Sequence, residues 1–155
     1  MNTIMQLQDS GDAMPCQAAL TTLVETQHSQ CLMCGPANPA GLKLKFKVQA
    51  DGSVLAAFPC RQALQSYPNT LHGGIVAALL DSAMTNALFA IGVVAVTAEL
   101  TVRYQAPVNP ERVVVLRAGL EKPPLHPLYY VQASLEQDGQ SMARASAKFL
   151  VKENP

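Results

Sequence analysis

The chain has 155 residues, with eleven bases against eleven acids. That length holds one domain with a real core and is short for two. The balanced charge leaves no broad basic surface, which argues against nucleic acid as the main partner.

Residues 1–14 are polar and turn-rich. They lack the basic stretch followed by an apolar one that marks a secretory signal, so a cytoplasmic setting is expected. The four cysteines, Cys16, Cys31, Cys34 and Cys60, should then be reduced. From Pro15 to His28, Ala18, Ala19, Leu23 and Val24 give a short helix one apolar side. Residues 1–30 read as an N-terminal extension carrying this helix, and 31–155 as a single domain. His28-x-x-Cys31-x-x-Cys34 has the spacing of metal ligands, but a complete four-ligand pattern is missing. Reduced thiols and no metal are the expectation.

Turn chemistry fills Cys34 to Gly41. Leu42 to Val48 then alternates strictly, with Lys43, Lys45 and Lys47 on one side, which predicts a strand with one wet face. Asp51-Gly52 is a hairpin signal, and Ser53 to Phe58 is the partner strand. A loop over 59–71 leads to a helix from about Gly73 to Ile91, stopped near Gly92. Four strands follow: Val93–Tyr104, Arg112–Leu120, Leu128–Glu136 and Ser141–Val151. Short turns join them, so they should be antiparallel neighbours. The helix is apolar on nearly all sides. A curved antiparallel sheet can cover most of it and a second copy of the chain the rest. The run from Ile75 to Val96 is long enough to span a bilayer. Asp81, Ser82, Thr85, Asn86 and Gly92 interrupt it, so a core helix with no membrane is the better reading.

Asp81 is the one charge in that apolar run. A buried carboxylate is costly unless it is paired or used. The run opens after His72-Gly73-Gly74, where a helix start offers unpaired N–H groups and the positive end of the dipole. A carbonyl oxygen against the Gly73 amide would gain negative charge there. Glycine as a plain cap is the bland alternative. Gly73 and Asp81 are eight residues apart, about 12 Å along one helix axis. Either they are unrelated, or one chain's Gly73 works with Asp81 of a two-fold partner. Thr85 lies one turn beyond Asp81, where a hydroxyl beside a carboxylate can hold a water. It can equally satisfy Asp81 in a tight core. His72 is a substrate donor or a structural cap, and Asn69 a substrate contact or a turn former. No Gly-x-Ser-x-Gly elbow, Walker loop or Gly-x-Gly-x-x-Gly occurs.

His72-Gly73-Gly74, the apolar helix with Asp81, and the strand Thr97 to Tyr104 followed by Ala106-Pro107-Val108 resemble the hotdog-fold acyl-CoA thioesterases of the phenylacetic-acid-pathway type. Cys31-x-x-Cys34-Gly35 with Asn38-Pro39-x-Gly41-Leu42 is similar to a subgroup of that superfamily. The resemblance covers about residues 31–151. It implies an α+β hotdog fold, with a long central helix wrapped by a curved five- or six-stranded antiparallel sheet. It implies a homodimer, and a dimer of dimers in many members. It implies hydrolysis of an acyl-CoA thioester at the dimer interface, without a cofactor. Gly73 would polarise the carbonyl, with Gly74 beside it, and the partner's Asp81 would act as general base or nucleophile. Thr85 matches a water-positioning hydroxyl in one branch, and Thr97 a hydroxyl position in another. Arg103, Lys122, Arg144 and Lys148 are candidates for the coenzyme A phosphates. A non-catalytic acyl-CoA binder or sensor is the alternative.

Overall fold

A computed structural model describes residues 13–153. It begins with α1 (Gln17–Gln27) and the two-residue strand β1 (Lys47–Val48). Next come β2 (Val54–Pro59) and the long helix α2 (Gly73–Ala90). The chain ends with β3 (Ala95–Tyr104), β4 (Val113–Leu120), β5 (Leu128–Gln137) and β6 (Gln140–Val151). All six strands form one antiparallel sheet in the order β1-β2-β4-β5-β6-β3. Every strand from β2 to β6 packs on α2, the central-helix arrangement expected from the sequence.

The core forms because each strand alternates. Val114, Leu116 and Ala118 of β4, Val131, Ala133 and Leu135 of β5, and Ala145, Ala147 and Phe149 of β6 point inward and are buried. They meet Leu79, Leu80, Met84, Leu88 and Phe89 of α2. The helix is long and apolar enough to cross a membrane, yet 67% of it is buried inside the protein. That burial is the mark of a core helix. The turn after it closes on Gly92, at φ +76°, a left-handed position that suits glycine.

Two sequence expectations change in detail. Leu42 to Phe46 keeps the expected alternation, with Leu44 and Phe46 buried and the lysines exposed, but only Lys47 and Val48 pair as strand. The reason lies at Lys43. Its φ of +58° breaks the extended course, and its ammonium donates to the carbonyls of Pro36 and Asn38. Helix α1 joins the same body: Leu20 is in the core, the Cys16 N–H donates to the Ala90 carbonyl at 2.7 Å, and Gln17 bonds Phe46 and Val48.

Strand β3 lies at the edge of the sheet. Val96, Leu100 and Tyr104 are 53%, 36% and 54% exposed. On α2, Gly74 is exposed and Ala77, Ala78 and Asp81 are half-buried. These four are spaced as one helical stripe. Asp81 is therefore less enclosed than the apolar run suggested. The carboxylate sits on a side of α2 that the described residues leave partly open.

Candidate active site

The start of α2 is held from below. The Leu71 N–H donates to the Val108 carbonyl at 2.8 Å, and the His72 N–H to the Leu64 carbonyl at 2.9 Å. His72 is the N-cap, and its Nδ1 accepts the Gly74 N–H at 2.8 Å. The structure thus gives His72 the capping role and takes Gly74's amide out of reach of a substrate. The Gly73 N–H has no hydrogen-bond partner among the described residues. The Tyr104 hydroxyl donates to the Gly73 carbonyl at 2.7 Å, and the Tyr104 ring lies over this glycine. Sequence reading missed this contact. Asn69 is exposed at φ +59° with its N–H near Gln65, the turn-former geometry.

Two turns along, the Asp81 carboxylate accepts a 2.6 Å hydrogen bond at Oδ1 from the Thr97 hydroxyl. Short O–H···O⁻ bonds are among the stronger ones. Thr85 makes no hydrogen bond to the carboxylate. It is buried, and it donates at 3.1 Å to the main-chain carbonyl of Asp81.

Thr97 reaches Asp81 because β3 carries a bulge. The β3–β6 register runs Thr97↔Phe149 and then Glu99↔Lys148, leaving Ala98 unpaired. Were Ala98 paired in regular alternation, Thr97 would share a face with Glu99, Thr101 and Arg103 and point away from α2. The bulge re-aims Thr97 onto the face of Tyr104, toward the helix.

Arg103 lies on the opposite face, across from Arg144 of β6. Neither makes an ion pair among the described residues. The other candidate cations are engaged. Lys148 bonds Glu99 at 2.9 Å, which raises its pKa, and Lys122 sits 4.5 Å over the Tyr130 ring. Two clefts of about 730 Å³ flank the body. One runs between α1 and the 43–48 segment, past Leu20, Val24, Phe46 and Asn86. Neither is lined by Gly73 or Asp81.

Residues 68–122, covering α2, β3 and β4, match the thioesterase superfamily model. The match covers 55 of the chain's 155 residues, and the fold of the chain is similar to that of solved structures described as thioesterases. A thioesterase superfamily protein aligns with a TM-score of 0.73 at 24% identity over 79% of this chain. This chain spans only 60% of that protein's length. A putative thioesterase of Ralstonia eutropha JMP134, described as phenylacetic acid degradation-related, aligns at TM-score 0.65 and 23% identity, over 71% of this chain and 86% of the other. A hypothetical thioesterase of Streptococcus pneumoniae TIGR4, solved with coenzyme A, aligns at TM-score 0.66 and 15% identity, over 72% and 90%. No curated protein matches in sequence. The central helix thus presents an open amide at its first turn and a threonine-held carboxylate at its third.

Proposed function

We propose that the protein hydrolyses acyl-CoA thioesters to free acid and coenzyme A, in a cytoplasmic homodimer or dimer of dimers whose sites are shared between chains. The observation that carries this reading is the Asp81 carboxylate held by Thr97 on an uncovered stripe of α2. A carboxylate that activates water needs an open setting and a partner that fixes its orientation.

In the proposed reaction, water lies against Asp81 Oδ2, which has no hydrogen-bond partner among the described residues. Asp81 takes the proton as water attacks the thioester carbonyl. Direct attack by the carboxylate is the variant of the same chemistry. The developing oxyanion accepts from the Gly73 N–H at the positive end of α2. Coenzyme A leaves as a thiolate, so no strong general acid is required. Gly73 and Asp81 of one chain stand about 12 Å apart along the helix, too far to serve one carbonyl. A two-fold partner laid along β3 and the open stripe brings one chain's amide to the other's carboxylate. Arg103 and Arg144 supply unpaired positive charge for the coenzyme A phosphates.

The comparisons support the ligand class. The Streptococcus pneumoniae protein was solved with coenzyme A, and a Streptococcus mutans relative with acetyl CoA. Variants of the former replace an aspartate and a threonine by alanine. Those two lie as far apart in sequence as Asp81 and Thr97 do here, with a separation of 16.

The test is release of free coenzyme A from aromatic, short, medium and long acyl thioesters. Asp81→Asn should fold and lose turnover by about 10²-fold or more, the scale for a general base. Unchanged hydrolysis would remove the mechanism. Tight acyl-CoA binding by the wild type without turnover would put a sensor in its place. Mixing Gly73→Pro chains with Asp81→Asn chains should restore part of the activity in verified heterodimers. No recovery between folded chains would count against sharing.

A further inference from the structure

Away from Asp81, on the face of α2 that carries Ser82 and Asn86, three soft donors converge. His28 Nδ1 or Nε2, Cys31 Sγ and Cys34 Sγ all lie within 4.8 Å of one another. The Cys34 Sγ to His28 Nδ1 distance is 3.7 Å. Tetrahedral zinc, with bonds near 2.3 Å to sulfur and 2.0 Å to nitrogen, spaces its ligand atoms about 3.5–3.8 Å apart. One edge of that figure is already formed, and the others need about 1 Å of adjustment.

The backbone around the sulfurs is shaped for this. The Met33 N–H points at Cys31 Sγ at 3.4 Å, and the Gly35 N–H closes a turn on the Cys31 carbonyl at 2.9 Å. A Cβ at Gly35 would stand 2.3 Å from the Cys31 nitrogen, so only glycine lets the chain fold back so tightly behind Cys34. Lys43 pins the loop through the Pro36 and Asn38 carbonyls. The His28 ring is set edge-on against Phe89, with centroids 4.9 Å apart.

An independent observation comes from α2. The side chains of Ser82 and Asn86 lie beside the Cys34 sulfur. Ser82 is 6% and Asn86 1% exposed, and Ser82 Oγ and Asn86 Oδ1 have no hydrogen-bond partner among the described residues. Buried polar atoms are rarely left so, because each costs about 1–3 kcal/mol. A thiolate at Cys34 would accept from the serine hydroxyl. A water on a bound ion would donate to the asparagine oxygen.

We propose that His28, Cys31 and Cys34 bind one zinc ion per chain, with water in the fourth position and Ser82 and Asn86 as its outer hydrogen-bond partners. Binding displaces the two thiol protons to solvent and changes no oxidation state. The ion joins the end of α1 and the Cys31–Cys34 loop to the middle of α2 through Ser82 and Asn86. This inference is independent of the hydrolysis proposed above.

The experiment uses the full chain, purified without a metal-affinity tag or chelator. Elemental analysis should find one zinc per chain. After chelation under reducing conditions, titration with Co²⁺ should give a sulfur-to-cobalt charge-transfer band that saturates at one ion. Cys31→Ser, at a half-buried position, should abolish the band while the circular dichroism stays native, and Cys60→Ser should leave it intact. Ser82→Ala should weaken Co²⁺ binding about 10-fold. Substoichiometric zinc together with no charge-transfer band from the reduced wild type overturns the proposal. So does a Cys31–Cys34 disulfide in the protein as purified, which makes the pair redox-active instead. A band that survives Cys31→Ser also overturns it, since the metal would then sit elsewhere.

Discussion

Replacing Thr97 by Val tests whether the hydroxyl serves Asp81 or merely fills space. Valine keeps the branched shape and β propensity of threonine, so the bulged strand is retained. What is lost is one 2.6 Å donor to a carboxylate. Hydrogen bonds to charged groups contribute about 1.5–3 kcal/mol. Asp81 is half-buried and Thr97 exposed, so water replaces part of this and the lower end applies. If that bond orients the carboxylate toward its water, about 1.5 kcal/mol of lost positioning lowers kcat about 10-fold. The stability cost is smaller, at or below about 1 kcal/mol, which moves Tm by about 2–4 °C in a chain of this size. The assay is the kcat of coenzyme A release, with thermal melting alongside. The same substitution made on Asp81→Asn should reduce kcat by less than about 2-fold further, because a positioning residue has nothing left to position. A fall in Tm with unchanged kcat would refute the positioning argument. An equal 10-fold loss on both backgrounds would show that Thr97 acts on the substrate and not through Asp81.

Deleting Ala98 removes the unpaired residue of the β3 bulge while leaving Thr97 opposite Phe149 and next to Glu99, so plain alternation still turns Thr97 toward α2. A folded deletion should therefore keep most of its turnover, and a loss as large as that of Thr97→Val would show that the aim of Thr97 depends on the bulge itself. Thiol reactivity should separate the cysteines. Cys16 caps α1, where the N–H groups of Ala19 and Ala18 lower its pKa, while burial pushes Cys60 up to about 11. At about pH 8 a thiol with that pKa is roughly one part in a thousand thiolate. Peptide mapping after brief iodoacetamide treatment should therefore find Cys16 modified well before Cys60.

The helix and the strands were legible because their signals are long and periodic. Nothing in the run from Gly73 to Ala90 favours a break, and β4, β5 and β6 alternate over eight or more residues. The site was legible only in outline. Gly73 and Asp81 stand out by chemistry, one as a bare helix start and the other as a lone charge. Which hydroxyl meets Asp81 was not readable, because helical spacing favours Thr85 and strand alternation turns Thr97 away. A single unpaired residue at Ala98, with no compositional mark, reverses that parity. Tyr104 was missed for a related reason: its partner is a backbone carbonyl, and no residue pattern records a carbonyl. At Lys43 the alternation was real, but a left-handed φ prevented pairing. Periodicity reports which side of the chain is wet, not which backbone groups are bonded.

The openness of the Asp81 stripe and the exposure of β3 have one geometric origin. β3 is the last strand of the sheet, and no strand beyond it covers the helix among the described residues. An edge strand with free N–H and carbonyl groups and exposed Val96 and Leu100 invites pairing with another strand. The same missing neighbour leaves Asp81 accessible. Under the proposed reading, one two-fold contact therefore does three things: it continues the sheet, covers the apolar stripe and assembles the catalytic pair. A site that required only one chain would have no reason to place its carboxylate at the sheet's unpaired edge. The bulge fits the same logic, because it aims Thr97 inward at the position where β3 passes Asp81, while Glu99, two residues on, still faces outward to Lys148.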